Sequence, residues 1–155
     1  MRAGLEMDDF FMGLAVEEAK KGCELAEVPV GAVLTDASGN ILARAHNKPV
    51  SQHDPTAHAE ILAIRAASVL MENYRLPETS IYVTLEPCAM CVGAMLHARV
   101  KRLVFGAADP KGGAAGSVID LTAVASFNHR IEVTGGVRAE ECAEMLRSFF
   151  KKRRG

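Results

Sequence analysis

The chain has 155 residues, 49% hydrophobic, 24% charged and 5% aromatic, with 18 Lys+Arg against 19 Asp+Glu. This length and apolar fraction describe one globular domain, residues 1–155, and exclude a disordered or collagen-like chain. No apolar run reaches the roughly 18 residues of a membrane span, Glu6, Asp8 and Asp9 stand where a signal peptide is basic and apolar, and a net charge of -1 withholds the usual cue for a nucleic-acid binder, so a cytoplasmic protein with no membrane partner is expected.

In chain order, Asp8 or Asp9 is placed to cap a first helix running to about Ala26, with Phe11, Leu14, Ala15, Ala19 and Cys23 at helical spacing. Val30 to Thr35 and Ile41 to His46 are apolar and partly β-branched, and they flank the turn residues Asp36 to Asn40, which predicts an antiparallel hairpin. Asn47 to Pro55 has no periodicity. From Ala57 to Met71 a run of Ala, Ile, Leu, Glu and Arg predicts a helix with Thr56 as its cap. Ser80 to Thr84 is the next strand, and Pro87 suits the first turn of a helix from Cys88 to about His97. Arg102 to Phe105 is a strand, and the Gly- and Ala-rich stretch Gly106 to Ser117 reads as a surface loop carrying Asp109 and Lys111. Arg130 to Thr134 is a short strand ended by Gly135 and Gly136, and a last helix from about Arg138 buries Cys142, Met145, Leu146 and Phe149. Strands alternating with helices after an opening hairpin predict a three-layer α/β/α sandwich around a central mixed five-stranded sheet.

The cysteines separate into two kinds. Cys23 and Cys142 lie in apolar helical patterns and read as ordinary buried thiols. Cys88 and Cys91 form a close pair, which in a reducing compartment points to metal binding or redox chemistry. His58 adds an imidazole, and one nitrogen with two thiolates suits tetrahedral zinc. Structural zinc is closed by four protein ligands, whereas catalytic zinc leaves one position to water, so three obvious ligands favour catalysis. A closed site with His53 or His97 as fourth ligand and a thioredoxin-like redox pair are the alternatives, and the second leaves His58-x-Glu60 unexplained. Both ligand segments fall at predicted helix N-termini, where the dipole favours thiolate. Glu60, about 200 degrees around the helix from His58, is disfavoured as a ligand and is placed to exchange protons with a water. His97 and His129 read as surface or capping residues. At the end of the chain, Phe149-Phe150-Lys151-Lys152-Arg153-Arg154 joins aromatic faces to four positive charges, able to grip a single-stranded loop, although basic residues at a helix C-terminus also complement its dipole.

His-x-Glu followed by Pro-Cys-x-x-Cys resembles the zinc-dependent nucleobase deaminases of the cytidine/deoxycytidylate deaminase superfamily. Val28 to Val33, Asn47, His53 to Glu60, Thr84 to Cys88, Val104 to Ala107, Gly113 to Ser117 and Asn128-His129-Arg130 resemble its bacterial tRNA-specific adenosine branch, so the likeness covers nearly the whole chain. The resemblance implies a cytidine deaminase-like fold, one zinc ion per subunit held by His58, Cys88 and Cys91, and a homodimer whose partner helps shape the RNA site. It implies attack of zinc-bound hydroxide on C6 of adenine, with Glu60 carrying protons to N1 and to the leaving ammonia, giving inosine at the wobble position of an arginine tRNA. In this likeness Asn47 bonds the flipped base, the main chain at Ala59 lines the pocket and Leu85 packs against the ring. Asp109, Lys111 and Asn128 match positions that touch neighbouring nucleotides of the anticodon stem-loop, and Phe150 and Arg154 belong to the gripping tail. A small-molecule deaminase of guanine, cytosine or a cytidine nucleotide would share the zinc motifs, and a non-catalytic zinc module is the reading from another class.

Overall fold

The computed structural model describes residues 2–154, with side chains from residue 4 onward; Met1 and Gly155, the two ends of the expected domain, lie outside the described residues. The elements run α1 (Arg2–Glu24), β1 (Gly31–Thr35), β2 (Ile41–His46), α2 (Ala59–Met71), β3 (Ser80–Leu85), α3 (Ala89–Ala98), β4 (Arg102–Ala107), β5 (Glu132–Thr134) and α4 (Ala139–Arg154). The strands form one sheet in the order β2-β1-β3-β4-β5. β1 is antiparallel to both β2 and β3, while β3, β4 and β5 are parallel. The expected five-stranded mixed sheet is therefore present. The ends of β2, β3 and β4 and the start of β1 share one edge, where Gly31 pairs His46 and Leu85 pairs Ala107. Open sheets bind ligands outside the carboxyl ends of their strands, where the connections change direction.

Central strands are apolar on both faces because both are covered. Ala32 and Leu34 of β1, Ile81 and Val83 of β3, and Leu103 and Phe105 of β4 pack with Ala63 and Ala67 of α2 and Val92 and Met95 of α3. The alternate residues Val33, Tyr82 and Val104 pack with Met12, Ala15 and Val16 of α1 and Cys142 of α4. This alternation makes the three layers. Contact between α1 and β1 is close: a Cβ on Gly31 would overlap the carbonyl oxygen of Ala15, so the backbone approach itself selects glycine.

Several expectations are corrected. α1 begins well before Asp8 and ends at Glu24. Asp8 is buried and holds Arg102 through two bonds of 2.7 and 2.5 Å, and Asp9 pairs with Arg138 at 3.0 Å, so both acids serve tertiary contacts instead of a cap. Thr56 does not cap α2, because its hydroxyl donates to Asp54 at 2.7 Å and the helix starts later, with His58 in the N-cap position. β4 extends through Gly106 and Ala107, which remain strand because their neighbour β3 continues to Leu85. Pro87 precedes α3, and Cys88 is its N-cap. Cys23 is exposed and borders an open groove between α1 and α4, while Cys142 is buried as expected.

Candidate active site

His58 and Cys88 occupy equivalent places, each the N-cap of its helix with extended backbone and with no side-chain capping bond. Neither side chain is spent on its own helix. Cys91 follows one turn into α3 and is buried. The three side chains converge: Cys88 Sγ lies 3.8 Å from Cys91 Sγ and 3.7 Å from His58 Nδ1, and Cys91 Sγ lies 3.5 Å from His58 Nδ1. A tetrahedral zinc with metal–sulfur distances of about 2.3 Å and metal–nitrogen distances of about 2.05 Å has ligand-to-ligand edges of about 3.8 and 3.6 Å. The group has the size of the ion. Among the described residues it is the only cluster of three or more potential metal ligands, and His53 and His97, the expected alternatives for a fourth ligand, are exposed and outside it.

The three side chains are electrostatically coupled to one another. Hydrogen bonding from Cys91, then from His58, draws the Cys88 thiol down to about 3, making it a thiolate at neutral pH. The Cys88 thiolate in turn raises the His58 imidazole, and it pushes Cys91 up together with burial. The N-termini of α2 and α3 converge where His58 and Cys88 meet, and their dipoles favour this negative charge.

Glu60 lies in the first turn of α2, only 3% exposed. Its Oε1 is buried without a hydrogen-bond partner, alone in that respect among the described side chains. Burial raises its pKa above the ordinary 4.5, and the N–H of its own residue and the His58 charge offset only part of that. A buried carboxylate oxygen lacking a partner is unfavourable for folding, so its position calls for a role beyond packing.

Asn47 follows β2 and is buried; its Oδ1 accepts the Ala59 N–H at 2.8 Å and so caps α2 from outside the helix. Glu27, also buried, accepts the N–H groups of Ser51 at 2.7 Å and Val50 at 3.2 Å and holds the loop that follows Asn47. The carboxyl end of β3 opens onto a cavity of about 660 Å³. Leu85, Asp109, Lys111, Phe150 and Arg154, five of the residues expected to meet substrate, all line it. Phe150 and Arg154 stand one turn apart on α4 and present the same face, whereas Phe149 turns into the core with the Arg153 guanidinium 5.4 Å from its ring centre. Asn128 is not brought to this cavity: it is exposed in a separate groove with His97, Arg99 and Phe127. His129 lies beside it and contacts the Val100 carbonyl at 2.7 Å, in keeping with a structural role.

One buried residue of the site, Glu86, has no counterpart among the expected site residues. Burial opposes its ionisation, but the Ser117 hydroxyl and the N–H groups of Asp109, Ser117 and Ala115 outweigh that and hold it below the ordinary 4.5. Nothing local in Glu86-Pro87-Cys88 announces these bonds, since their donors lie 23 to 31 residues further on.

Residues 6–154 match the MafB19-like deaminase family. Over 149 residues the chain is 52% identical to the tRNA-specific adenosine deaminase of Haemophilus influenzae, covering 96% of this chain and 86% of that protein. The tRNA-specific adenosine deaminase of Bacillus subtilis is 47% identical over 150 residues, with 97% and 92% covered. A solved structure from studies of A-to-I editing by tRNA deaminases at the wobble position of transfer RNA superposes with a TM-score of 0.85 at 44% identity, covering 88% of this chain and 99% of that one. The guanine deaminase of Bacillus subtilis superposes less closely, with a TM-score of 0.62 at 30% identity, covering 94% and 93%.

Proposed function

The chain belongs to the tRNA-specific adenosine deaminases within the deaminase family, and from that premise we propose that it hydrolyses the wobble adenosine of an arginine tRNA anticodon to inosine. The observation that carries this reading is the pairing of a zinc-sized His58-Cys88-Cys91 group with the buried carboxylate of Glu60, whose Oε1 has no hydrogen-bond partner. Zinc bound there supplies a Lewis acid that makes water nucleophilic enough to attack C6 of adenine.

The protein's own residues divide the remaining work. His58, Cys88 and Cys91 hold the ion, and two thiolates with one neutral imidazole cancel its charge, which leaves a weaker Lewis acid in need of a proton acceptor. Glu60 meets that need. It takes one proton of the attacking water and passes it to adenine N1, then carries the second from the oxygen now on C6 to the departing nitrogen, so that the C6–N bond breaks as ammonia leaves and that oxygen remains as the C6 carbonyl. The burial of Glu60 next to the reacting water keeps bulk solvent from competing for the proton it must both accept and return. Asn47 has its oxygen committed to Ala59, so its amide N–H groups are what it offers the base. Leu85 supplies an apolar wall, and Asp109, Lys111, Phe150 and Arg154 give a cavity with charge and an exposed aromatic face for the nucleotides beside the extruded base.

The proposal includes a single deaminase domain, one zinc per subunit, action in the cytoplasm where its tRNA is found, and a homodimer. The dimer is supported by the exposed Val69, Leu70, Met71 and Tyr74 at the C-terminal end of α2. Within a dimer, the separate groove of Asn128 leaves that residue to serve RNA held by the other copy.

The test is incubation of zinc-loaded protein with an in vitro transcribed arginine tRNA, and in parallel with guanine and cytidine. Inosine at the wobble position alone is expected. Turnover of a free base or nucleoside without turnover of the tRNA would replace this reading with that of a small-molecule deaminase.

A further inference from the structure

Glu86 takes no part in the chemistry described above, yet its carboxylate is 2% exposed and fully engaged. Oε1 accepts the Asp109 N–H at 3.0 Å and the Ser117 hydroxyl, and Oε2 accepts the N–H groups of Ala115 at 3.0 Å and Ser117 at 3.1 Å. Gly113 lies so close to the carboxylate that a Cβ there would overlap it. The main chain adds to the clamp, with Ala114 N–H donating to the Pro87 carbonyl and Glu86 N–H to the Ala107 carbonyl, both at 2.8 Å. One buried side chain therefore ties both ends of the 109–117 loop to the turn that leads into Cys88. At the loop's start, Asp109 Oδ1 accepts the N–H groups of Lys111 at 3.0 Å and Gly112 at 3.2 Å and shapes the turn that presents Lys111. Asp109 and Lys111 then face the cavity shared with Leu85, Phe150 and Arg154.

We propose that Glu86 is a positioning residue for RNA recognition: it fixes the 109–117 loop so that Asp109 and Lys111 meet the nucleotides beside the reacting adenosine in one geometry, setting KM while leaving proton transfer to Glu60. This assignment rests on the tRNA reading above. Four donors converge on two oxygens, an arrangement only a carboxylate satisfies. In Glu86→Gln the amide oxygen keeps the Ala115 and Ser117 N–H bonds, and the Ser117 hydroxyl can rotate to accept from the new NH2. The Asp109 N–H cannot rotate and is left facing another donor.

The experiment compares wild type with Glu86→Gln as zinc-loaded proteins on an arginine tRNA anticodon stem-loop, alongside amide hydrogen exchange. KM is expected to rise about tenfold, the factor that corresponds to one lost charge-assisted bond, with kcat within about twofold and zinc content unchanged. The Asp109 amide should exchange faster while Ala115 stays protected. Combined with Lys111→Ala, Glu86→Gln should raise KM by less than about twofold more, because both act through one loop. Ser117→Ala keeps the carboxylate and is the second variant should Glu86→Gln fold poorly; it is expected to raise KM about threefold in the same direction. A fall in kcat at unchanged KM, or full additivity with Lys111→Ala, overturns the assignment. Unchanged Asp109 exchange in Glu86→Gln overturns it whatever the substrate proves to be, whereas absence of inosine with the wild type overturns the tRNA reading and the substrate half of the assignment with it.

Discussion

Glu60 follows His58 by two residues and Glu86 precedes Cys88 by two, and both are buried, at 3% and 2% exposure, yet their surroundings are opposite. Glu86 receives three N–H groups and a hydroxyl, so its charge is compensated within the fold and its pKa falls. Glu60 keeps one oxygen with no partner at all, and burial drives its pKa up. Burial alone therefore says little about what a carboxylate does. A satisfied one holds a loop; an unsatisfied one near a group able to hold a metal ion fits the proton exchange proposed for Glu60, and that role would account for the instability the fold bears.

The comparison is most severely broken by removing the shared cluster. Cys88→Ala is expected to abolish activity and to lower zinc content and Tm together, since metal binding contributes to folding; zinc analysis with thermal melting checks this, and full zinc occupancy would contradict the ligand assignment. Glu60→Gln should lower kcat by about a hundredfold to ten-thousandfold, the usual worth of a general acid–base group, while zinc and tRNA binding persist. Gly113→Ala attacks the other carboxylate from its far side: the added methyl should destabilise the protein by roughly 1–3 kcal/mol through overpacking and reproduce the raised KM of Glu86→Gln, as urea unfolding and steady-state kinetics would show. A Gly113→Ala protein with wild-type stability would contradict so close an approach of Gly113 to the Glu86 carboxylate.

The smallest effect sharpens the contrast through pH. Glu86 has a folded pKa below the ordinary 4.5, so its contribution is present above that value and is lost as pH falls through the folded pKa. Glu60 has a folded pKa above 4.5, so its contribution is present below 4.5 and is lost as pH rises through the folded pKa. In metal-free protein near neutral pH, Glu60→Gln should therefore raise Tm slightly and Glu86→Gln should lower it. Glu27, also depressed by the N–H groups of Ser51 and Val50 against burial, adds to the loss in acid. Thermal melts of the three proteins between pH 4 and 8 give the signs directly.

What the sequence disclosed follows from how local each cause is. Ile41 to His46 and Ser80 onward read as strands because their apolar, β-branched runs end in turn residues, and β2 has the expected bounds. The metal group was legible because two short motifs at helix starts suffice to bring His58, Cys88 and Cys91 together. Asp8 misled the reading, because an acid near a helix start has the same local appearance whether it caps or reaches Arg102, 94 residues away. The exposure of Cys23 is not legible either, because a helical apolar stripe does not tell where a groove between α1 and α4 stays open to solvent. The role of Glu86 and the placement of Asn128 are not legible in the sequence for one reason: bonds to residues 109–117, and the groove that holds Asn128, exist only once the sheet has set the spacing of its loops.

The central claim is that Glu60 performs chemistry and is not a structural residue. Single-turnover deamination of an arginine tRNA by wild type and Glu60→Gln, with zinc content measured on the same samples, tests it most directly. The account predicts one zinc per chain in both proteins and inosine at the wobble position only with wild type on the same time scale. Inosine formed by zinc-loaded Glu60→Gln at the wild-type rate would contradict it.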